Sequence, residues 1–465
     1  MGLGWANKVS RLACTGIERD GALQPHRLRM SSLLVGLVLL VAGCDGSQGS
    51  TTTTTSAEEV SDASTTTTSA HPQVDLGSVT IPAGEPVRIH ILQALTGEET
   101  LFGVEQIRGV ELAVSDFGDL RGHPVELADV IDKPCDPKDA QAGAREIANL
   151  PGVLGVVVNT CSEAAVSALS ILSDNGLVMI SGFNTASTLT SDLIGNLGLN
   201  WYPGFYRFAN NELYQARAAA RFALETKLIS KAVIISSSDD ESQQLASAFA
   251  RLFEQQGGEI VDQIEVTEGM RISTDVLIEL GRLEPPFLYV AIPPSDVQGL
   301  FDQIRRTPGL EESIVFGREM LKGLTDTLNP ELVGQAFFPG PDEVTISGSN
   351  EVTGIGFETL MAAYEQVYNA EPTSLHFTAT YDATIFLLRA IEEVARIQPD
   401  GSVVVERAEL RQYLDGLEKF NGITGDLHCL PPGDCGNAMV GIYEIGPDLV
   451  LFQVESVDGN MGTED

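Results

Sequence analysis

Residues 129–190 constrain the fold most, because apolar runs alternate there with polar turns and helical runs. Residues 152–158 and 177–181 are predicted strands, and polar residues follow each of them directly. A strand, a polar turn, a helix and a second strand in this order predict a parallel sheet with crossover helices. In such sheets, ligands bind beyond the carboxyl ends of the strands. Ser162 and Thr185 follow consecutive strands, so we expect them to be neighbours at one crevice.

The alternation of strands and helices extends along most of the chain in two runs. The first run begins with a predicted strand at residues 87–95, and the second occupies residues 232–316. A chain of 465 residues is long enough for two domains with full cores. We therefore predict an α/β protein with two doubly wound, Rossmann-like lobes.

The charge balance argues against two kinds of partner. The chain has 28 Lys and Arg residues against 65 Asp and Glu residues, which gives a net charge of -37. Nucleic-acid binding needs a basic face, and docking on an anionic membrane surface needs basic residues too. The acidity is typical of a soluble extracytoplasmic surface.

Sequence signatures of enzymes are missing from this chain. It contains no G-x-S-x-G elbow, no H-E-x-x-H motif and no Gly-Lys pair of a phosphate-binding loop. We therefore predict that it is not an enzyme, and we predict neither a cofactor nor a metal site.

The N-terminal segment has the pattern of an export signal. Arg27 and Arg29 precede an apolar run at residues 33–41, which is too short to span a bilayer and fits a signal-peptide core. The run ends in Val-Ala-Gly-Cys44, which resembles a bacterial lipobox in which Cys44 is lipidated. A plain signal peptide with an incidental cysteine is the alternative. We predict a signal peptide over residues 1–43 and lipid anchoring to the outer face of the cytoplasmic membrane, with no other membrane contact.

Two further segments are predicted to be disordered. Residues 44–84 are rich in Thr, Ser and acidic residues and offer few apolar side chains to bury. Such a segment would act as a tether between the membrane and the folded part. Residues 457–465 are predicted to form a disordered tail.

Four cysteines beyond the anchor are available for pairing. In an exported chain, Cys135 with Cys161 and Cys429 with Cys435 suit disulfides. Their spacings match no paired C-x-x-C zinc pattern. A zinc site that uses the adjacent His428 is the weaker alternative for the second pair.

Three motifs in order carry a resemblance to a known family: CDPKDA at residues 135–140, TCS at 160–162 and FNTASTLT at 183–190. Together they resemble the first lobe of the leucine/isoleucine/valine-binding proteins, the solute receptors of branched-chain amino-acid ABC importers. The resemblance extends from about Val87 to the C-terminus. It implies the type I periplasmic-binding-protein fold, with three hinge crossings between the lobes. Lobe 1 would comprise residues 85–210 and 338–425, and lobe 2 residues 211–337 and 426–456.

The resemblance also implies a ligand site between the lobes. The carboxylate of an amino acid suits a helix N-terminus, and Ser162 is placed to act as the N-cap of a helix at 163–173. By resemblance, the carbonyl of Phe183, the hydroxyl of Thr185 and the carboxylate of Glu319 would accept hydrogen bonds from the ammonium. Glu319 is the sharpest marker, because a desolvated ammonium without a carboxylate partner would be costly. A helix cap without a ligand and a surface glutamate are the alternatives for Ser162 and Glu319.

The pocket for the ligand side chain involves two further residues. By resemblance, Phe102 falls where an aromatic ring contacts the ligand, although an ordinary core position is the alternative. The chain departs from the family at residues 238–242, where Glu241 offers an acid in place of a covering tyrosine. Near residues 292–294 another aromatic residue of the family is missing.

The resemblance implies the partners as well. We expect a monomer that binds an amino acid or a similar small polar ligand and delivers it to an ABC permease with its ATPase. The alternative is a sensory ligand-binding module that acts with a separate signalling partner.

Overall fold

The computed structural model describes residues 75–97, 99–192, 196–267, 272–319, 334–417, 419–429, 432–446 and 450–459. The signal peptide, Cys44 and most of the predicted tether lie outside these residues. Among the described helices, none combines the length and the apolar composition needed to cross a bilayer.

Strands and helices alternate through both predicted runs. The strands are β1 (Ser78–Ile81), β2 (Val87–Gln93), β3 (Asp119–Leu120), β4 (His123–Leu127), β5 (Ile131–Asp132), β6 (Gly155–Val158), β7 (Val178–Ser181), β8 (Phe205–Arg207), β9 (Lys231–Ser237), β10 (Glu259–Val266), β11 (Phe287–Ala291), β12 (Ile314–Phe316), β13 (Ala336–Pro341), β14 (Arg396–Ile397), β15 (Val403–Glu406), β16 (Phe420–Gly422), β17 (Gly425–Leu427), β18 (Met439–Ile445) and β19 (Leu451–Asp458). The helices are α1 (Thr100–Phe117), α2 (Pro137–Ala148), α3 (Ser162–Asp174), α4 (Glu212–Arg221, continued by a π-helical turn at Phe222–Thr226), α5 (Asp240–Gln255), α6 (Thr274–Arg282), α7 (Pro294–Arg305), α8 (Phe357–Tyr368), α9 (His376–Val394) and α10 (Arg407–Asp415).

The first sheet has the strand order β3-β4-β2-β6-β7-β8, with β5 beside the end of β2. All of its pairings are parallel except β3 with β4. Successive residues of β6 face opposite sides, as expected of a strand. Val157 packs with α1 and α9, whereas Val156 and Val158 pack with α2 and α3. Both faces are therefore covered by helices, and we call this part lobe 1.

The second sheet has the strand order β10-β9-β11-β12-β13-β18-β19. The strands β9 to β13 pair in parallel, and β18 and β19 add antiparallel strands at one edge. Ile234 of β9 packs towards α4 and α5, and its neighbour Val233 packs towards α6 and α7. This second doubly wound sheet with its helices is lobe 2, and the predicted fold class is confirmed.

Three crossings connect the two sheets. The chain leaves the first sheet after β8, returns after β13 and crosses again between β17 and β18. Phe420 and Leu427 of the β16–β17 hairpin belong to the core cluster that contains α9, so the hairpin lies in lobe 1. The second crossing follows Pro341, because β13 pairs with β18 as far as that residue. This places the crossing a few residues later than the predicted boundary at 337/338.

Two segments that we predicted to be disordered contain strands. Residues 78–81 of the predicted tether form β1, whose pairing with β15 buries Val79 and Ile81. The predicted tail beginning at residue 457 overlaps β19, where Val457 is buried in the core of lobe 2. Both predictions were wrong at these residues, because a few apolar side chains at alternate positions are enough to add an edge strand to an existing layer.

A buried ion pair joins the first crossing to the third. Arg207, the last residue of β8, is fully buried, and its Nη2 lies 2.6 Å from Asp434 Oδ2. The guanidinium also donates to the carbonyl oxygens of Thr185 and Ala186 at 2.8 and 2.7 Å. Since the charge is paired and its donors are used, the burial of Arg207 is compensated.

The segment around Asp434 is closed by a disulfide. Cys429 and Cys435 are bonded, so neither sulfur is a thiolate available to zinc. The backbone of this segment pairs with β8: Arg207 N donates to Gly433 O at 2.8 Å, and Cys435 N donates to Arg207 O at 2.7 Å. The first and third crossings therefore run side by side and are hydrogen-bonded to each other.

The second disulfide lies in lobe 1. Cys135 and Cys161 are bonded, with their Cα atoms 5.7 Å apart. Cys135 comes just before α2, whose N-cap Asp136 accepts from the backbone of Lys138 at 2.8 Å. Cys161 is itself the N-cap residue of α3. The disulfide thus ties together the N-termini of two neighbouring helices at the carboxyl edge of the sheet.

Candidate functional site

A cleft lies where the three crossings meet, with lining residues from both lobes. It encloses about 520 Å³, counted with the open solvent at its mouth. Each crossing contributes to its wall, and so does the first turn of α9. Thr185 and Glu319, two of the residues predicted from the sequence, line this cleft. The other wall residues used below are Asn210, Gln215, Asp342, His376, Thr378 and Asn437.

Glu319 follows β12 and stands at the carboxyl end of a parallel strand in lobe 2, the edge where ligands bind in such sheets. Its two oxygens have different partners. Oε1 lies 2.5 Å from Nε2 of His376, and Oε2 accepts from Nε2 of Gln215 at 3.2 Å. The carboxylate is about one-fifth exposed. It therefore faces the cleft while it is held from both lobes.

His376 begins α9 in lobe 1 and is the partner of Glu319. Burial lowers the pKa of its imidazole, but the Glu319 carboxylate and a hydrogen bond to the backbone of Gly182 raise that pKa more. The net pKa is above the ordinary value of 6.5. Protonation of the ring is therefore favoured by its surroundings despite its burial.

Gly182 lets α9 approach this point. A Cβ atom at residue 182 would lie 2.3 Å from the backbone nitrogen of Thr380, near the start of α9. A side chain there would push the helix, and His376 with it, away from the end of β7. The glycine is thus needed for a close backbone approach.

Thr185 belongs to the loop after β7, and the loop is fixed from several sides. The carbonyl of Thr185 accepts from Arg207 Nη1 at 2.8 Å and from the backbone of Glu212 at 2.9 Å. Ser162 is linked to the same loop, because its Oγ accepts from the backbone of Ala186 at 3.4 Å. Ser162 and Thr185 therefore come from neighbouring segments at one edge of the sheet.

The predicted capping role of Ser162 was wrong. The structure has Cys161 as the N-cap of α3 and Ser162 as the first helical residue, with no side-chain cap bond. The helix begins one residue earlier than the apolar pattern indicated. The hydroxyl of Ser162 instead accepts a hydrogen bond from the loop after β7.

The aromatic residues predicted for the ligand pocket contact each other. The rings of Phe102 and Phe183 have centroids 4.7 Å apart. Phe183 also meets the ring of His376, with centroids 4.6 Å apart and an edge-on arrangement. Both phenylalanines are partly exposed. They form a row that ends at the Glu319–His376 pair, although neither lines the cleft itself.

Glu241 makes an ion pair with Arg318, the residue before Glu319, and does not line the cleft. A second acid, Glu212, is buried nearby at the start of α4. Burial, followed by repulsion from Glu241, raises the pKa of Glu212 to about 8. Its Oε1 accepts from the backbone and the hydroxyl of Ser187 at 2.9 and 3.1 Å. The surroundings of Glu212 therefore favour its protonated form.

Ser187 makes a further contact between the lobes. Its hydroxyl is 3.1 Å from Oε1 of Gln244 on α5. Ser187 lies in the loop after β7 in lobe 1, so this contact and the Glu319–His376 pair hold the two walls of the cleft together.

Sequence reasoning missed His376, Gln215, Asp342 and the asparagines Asn210 and Asn437. Asp342 is buried and accepts hydrogen bonds from Gln453, Ser456 and the backbone of Thr345. No motif described in the sequence analysis includes His376. None of these residues belongs to a motif with a fixed spacing to Glu319.

Two doubly wound sheets, three crossings and a polar cleft between them define the class of two-lobed, solute-binding proteins. The chain belongs to the periplasmic binding protein family, whose sequence profile matches residues 86–437. Its relatives are solute-binding proteins and not enzymes.

Two relatives show the extent of the sequence similarity. A leucine-, isoleucine-, valine-, threonine- and alanine-binding protein of Pseudomonas aeruginosa is 22% identical over 394 residues, which cover 80% of this chain and 93% of that protein. A Leu/Ile/Val-binding protein of Escherichia coli K12 is 24% identical over 208 residues, 44% of this chain. In that comparison the chain spans about half of the relative, 54% of its length.

Solved structures share the fold. A leucine-binding protein from Thermotoga maritima has a TM-score of 0.65 at 18% identity and covers 80% of this chain and 99% of its own. A branched-chain amino-acid binding protein from Streptococcus pneumoniae, in complex with isoleucine, has a TM-score of 0.63 at 16% identity, with coverages of 80% and 100%. A solute-binding protein from Rhodopseudomonas palustris, in complex with benzoate, has a TM-score of 0.62 at 16% identity, with coverages of 82% and 98%.

Proposed function

We propose that this protein is an extracytoplasmic solute receptor that binds an amino acid or a similar small polar ligand in the cleft and delivers it to an ABC import permease. The observation that carries the proposal is the cleft at the three crossings, where Thr185 of lobe 1 and Glu319 of lobe 2 line one cavity. The amino acids bound by the relatives support the choice of ligand class.

Each end of an amino acid has matching groups near the cleft. The ammonium would be received by Glu319 and by Thr185, whose oxygen atoms are acceptors. The carboxylate would lie towards the N-terminus of α3, where Ser162 and the backbone N–H groups favour an anion. Phe102 and Phe183 would contact the apolar side chain.

Ligand binding would be coupled to closure of the lobes. Three connections between two α/β lobes allow hinge motion around a ligand. Glu319 and Ser162 belong to different lobes, so a ligand that contacts both is bound fully only when the cleft is closed. A monomer is sufficient for this mechanism, since both walls come from one chain.

The lipid anchor is part of the proposal. Cys44 would carry it after removal of residues 1–43, and residues 44–77 would connect it to β1. The anchor would keep the receptor near its permease at the outer face of the cytoplasmic membrane.

A thermal-shift screen of amino acids, amides and small carboxylic acids tests the proposal. A ligand that binds only the native state raises the melting temperature, by an amount that grows with its concentration above Kd. We expect at least one amino acid with an apolar side chain to do so, with a dissociation constant then measured by calorimetry. If no compound of the three classes stabilises the protein, the proposal is wrong.

A further inference from the structure

The start of α9 places a histidine at the carboxylate that the ligand is expected to use. Nε2 of His376 lies 2.5 Å from Oε1 of Glu319. His376 is only 6% exposed, and its ring is also held by the backbone of Gly182 and by the edge-on contact with Phe183. The imidazole is thus fixed in place by neighbours that belong to both lobes.

The charges of this pair restrict which ligands Glu319 can bind. When the imidazole is protonated, it donates to the carboxylate and the pair is neutral as a whole. An ammonium that arrives at Glu319 then adds a second cation beside a single carboxylate, and like charges at this range disfavour each other's charged form. Loss of the imidazole proton to the solvent restores one cation and one anion.

We propose that His376 is a specificity-determining residue: in the ligand-free protein its protonated imidazole occupies the Glu319 carboxylate that would bind a ligand ammonium. A ligand with an ammonium group then binds with release of the proton from His376. This inference rests on the proposed function, because it assumes that Glu319 receives the ligand. A ligand without an ammonium leaves the Glu319–His376 pair intact and binds without releasing this proton.

Three acids on the elements next to His376 have partners of their own: one in the cleft wall, one on α1, which packs against α9, and one on α9 itself. Asp342, which lines the same cleft, is held by Gln453 and Ser456. On α1, Glu105 accepts from Tyr364 at 2.8 Å and lies 3.9 Å from Arg108. Asp382 on α9 accepts from the backbone of Thr424 at 2.8 Å.

The acid that acts on His376 is therefore Glu319, the one charged group among the described residues that raises its pKa. The direction of the pH effect follows from this. Below the pKa of His376, the proton must leave before an ammonium binds, so amino-acid affinity falls about tenfold for each pH unit. Above that pKa, affinity is independent of this group.

Calorimetry with L-leucine tests the proposal in the full-length protein. Titrations between about pH 5.5 and 8.5, in two buffers of different ionisation enthalpy, measure both the affinity and the protons released. We expect release of about one proton for each leucine at the acidic end and fewer protons towards the alkaline end. Binding of leucine without proton release at the acidic end would overturn the proposal.

Two variants make the test specific. His376→Gln keeps a neutral donor towards Glu319 but does not titrate, so leucine binding should lose its proton release and its pH slope. His428→Gln changes an exposed histidine outside the cleft and should behave as the wild type. If His376→Gln keeps the wild-type slope, the assignment is wrong.

The deaminated analogue 4-methylpentanoate separates this inference from the proposed function. If the wild type binds this analogue but not leucine, a gain of leucine affinity in His376→Gln supports the role of His376, and no gain contradicts it. If neither compound nor any amino acid binds, the proposed function fails.

Nuclear magnetic resonance of the ligand-free protein tests the pairing of His376 with Glu319 directly. The ring nitrogens of His376 should titrate above 6.5 in the wild type, and Glu319→Gln should lower that pKa. A pKa that does not change in Glu319→Gln would overturn the inference without any ligand.

Discussion

The carboxylate of Glu319 and the imidazole of His376 meet 2.5 Å apart, although one follows a strand of lobe 2 and the other begins a helix of lobe 1. The contact spans the cleft at the position where recognition of a ligand is expected. A ligand shifts the balance between open and closed lobes only through contacts that differ between the two states. A residue that bridges the lobes and also faces the ligand is suited to couple binding with closure.

Replacement of Glu319 by Gln should weaken amino-acid binding while it preserves the shape of the side chain. An ammonium left buried without its charged partner costs about 2–5 kcal/mol, or roughly 30- to several-thousand-fold in affinity. Calorimetry at the alkaline end of the pH series, where protonated His376 competes least for Glu319, measures this loss. Glu312→Gln, at an exposed position before β12, serves as the control. Equal affinities for Glu319→Gln and the wild type would mean that the ligand ammonium lies elsewhere.

Replacement of Arg207 by Met should destabilise the protein strongly, because Asp434 would stay buried without its cation. Removing one partner of a buried pair costs about 3–5 kcal/mol. Denaturant unfolding measures the free energy of unfolding. The matched control is Arg221→Met, because Arg221 is partly exposed and its pair with the exposed Glu225 in the π-helical turn should contribute less than about 1 kcal/mol. Similar losses for both variants would contradict the role assigned to the buried pair.

The two disulfides should differ in their contributions to stability. Cys135 and Cys161 are 26 residues apart, whereas Cys429 and Cys435 are 6 residues apart. In the chain-entropy account, loss of the first disulfide costs about 3.5 kcal/mol and loss of the second about 2 kcal/mol. The double serine variants of each pair, compared by denaturant unfolding, check the order. Mass spectrometry of the exported protein should find neither pair as free thiols.

Replacement of Glu212 by Gln should remove a pH dependence of stability. The pKa of Glu212 is raised to about 8 in the folded protein from an ordinary 4.5. Between these values the folded state binds more protons than the unfolded state, so stability falls as pH rises, by up to about 1.4 kcal/mol for each pH unit. The free energy of unfolding of Glu212→Gln, relative to that of the wild type, should therefore rise from pH 5 towards about pH 8. The matched control is Glu254→Gln, at an exposed position of α5.

Replacement of Cys44 by Ser should release the protein from the membrane or leave its signal peptide uncleaved. The lipid is joined to the sulfur of a lipobox cysteine through a thioether bond. Serine has no sulfur and cannot form that bond. Fractionation of cells and the mass of the N-terminal peptide provide the measurement. A processed Cys44→Ser protein that still sediments with membranes would refute lipidation at this residue.

The alternation of strands and helices was predictable because the central strands are buried on both faces. β6, β7, β9 and β11 are continuous apolar runs bounded by polar turns, and such runs are visible in the sequence. What was missed lies at the edges of the fold. β1, β14 and β15 are only two to four residues long and pair only with one another, and runs this short are too brief to give a clear periodic pattern.

The candidate site was predictable only where the chain resembles the family. Thr185 and Glu319 were expected at the carboxyl ends of strands, and both line the cleft. His376 lies 57 residues from Glu319 along the chain, and a histidine at a helix start has no pattern that indicates a partner. The same holds for Gln215 and Asp342. Their importance depends on how three crossings bring distant segments together, which no local property of the sequence encodes.

The pairing of β1 with β15 determines where a mechanical load would enter this molecule. All residues before 75 are connected to the fold through β1, and β1 is hydrogen-bonded to β15 along Ser78–Ile81. Val79 and Ile81 of β1 belong to the core of lobe 1. Tension on the N-terminal segment is therefore transmitted first to lobe 1. If the N-terminus is fixed at a surface and the lobes close as proposed, lobe 1 stays in place and lobe 2 moves towards it.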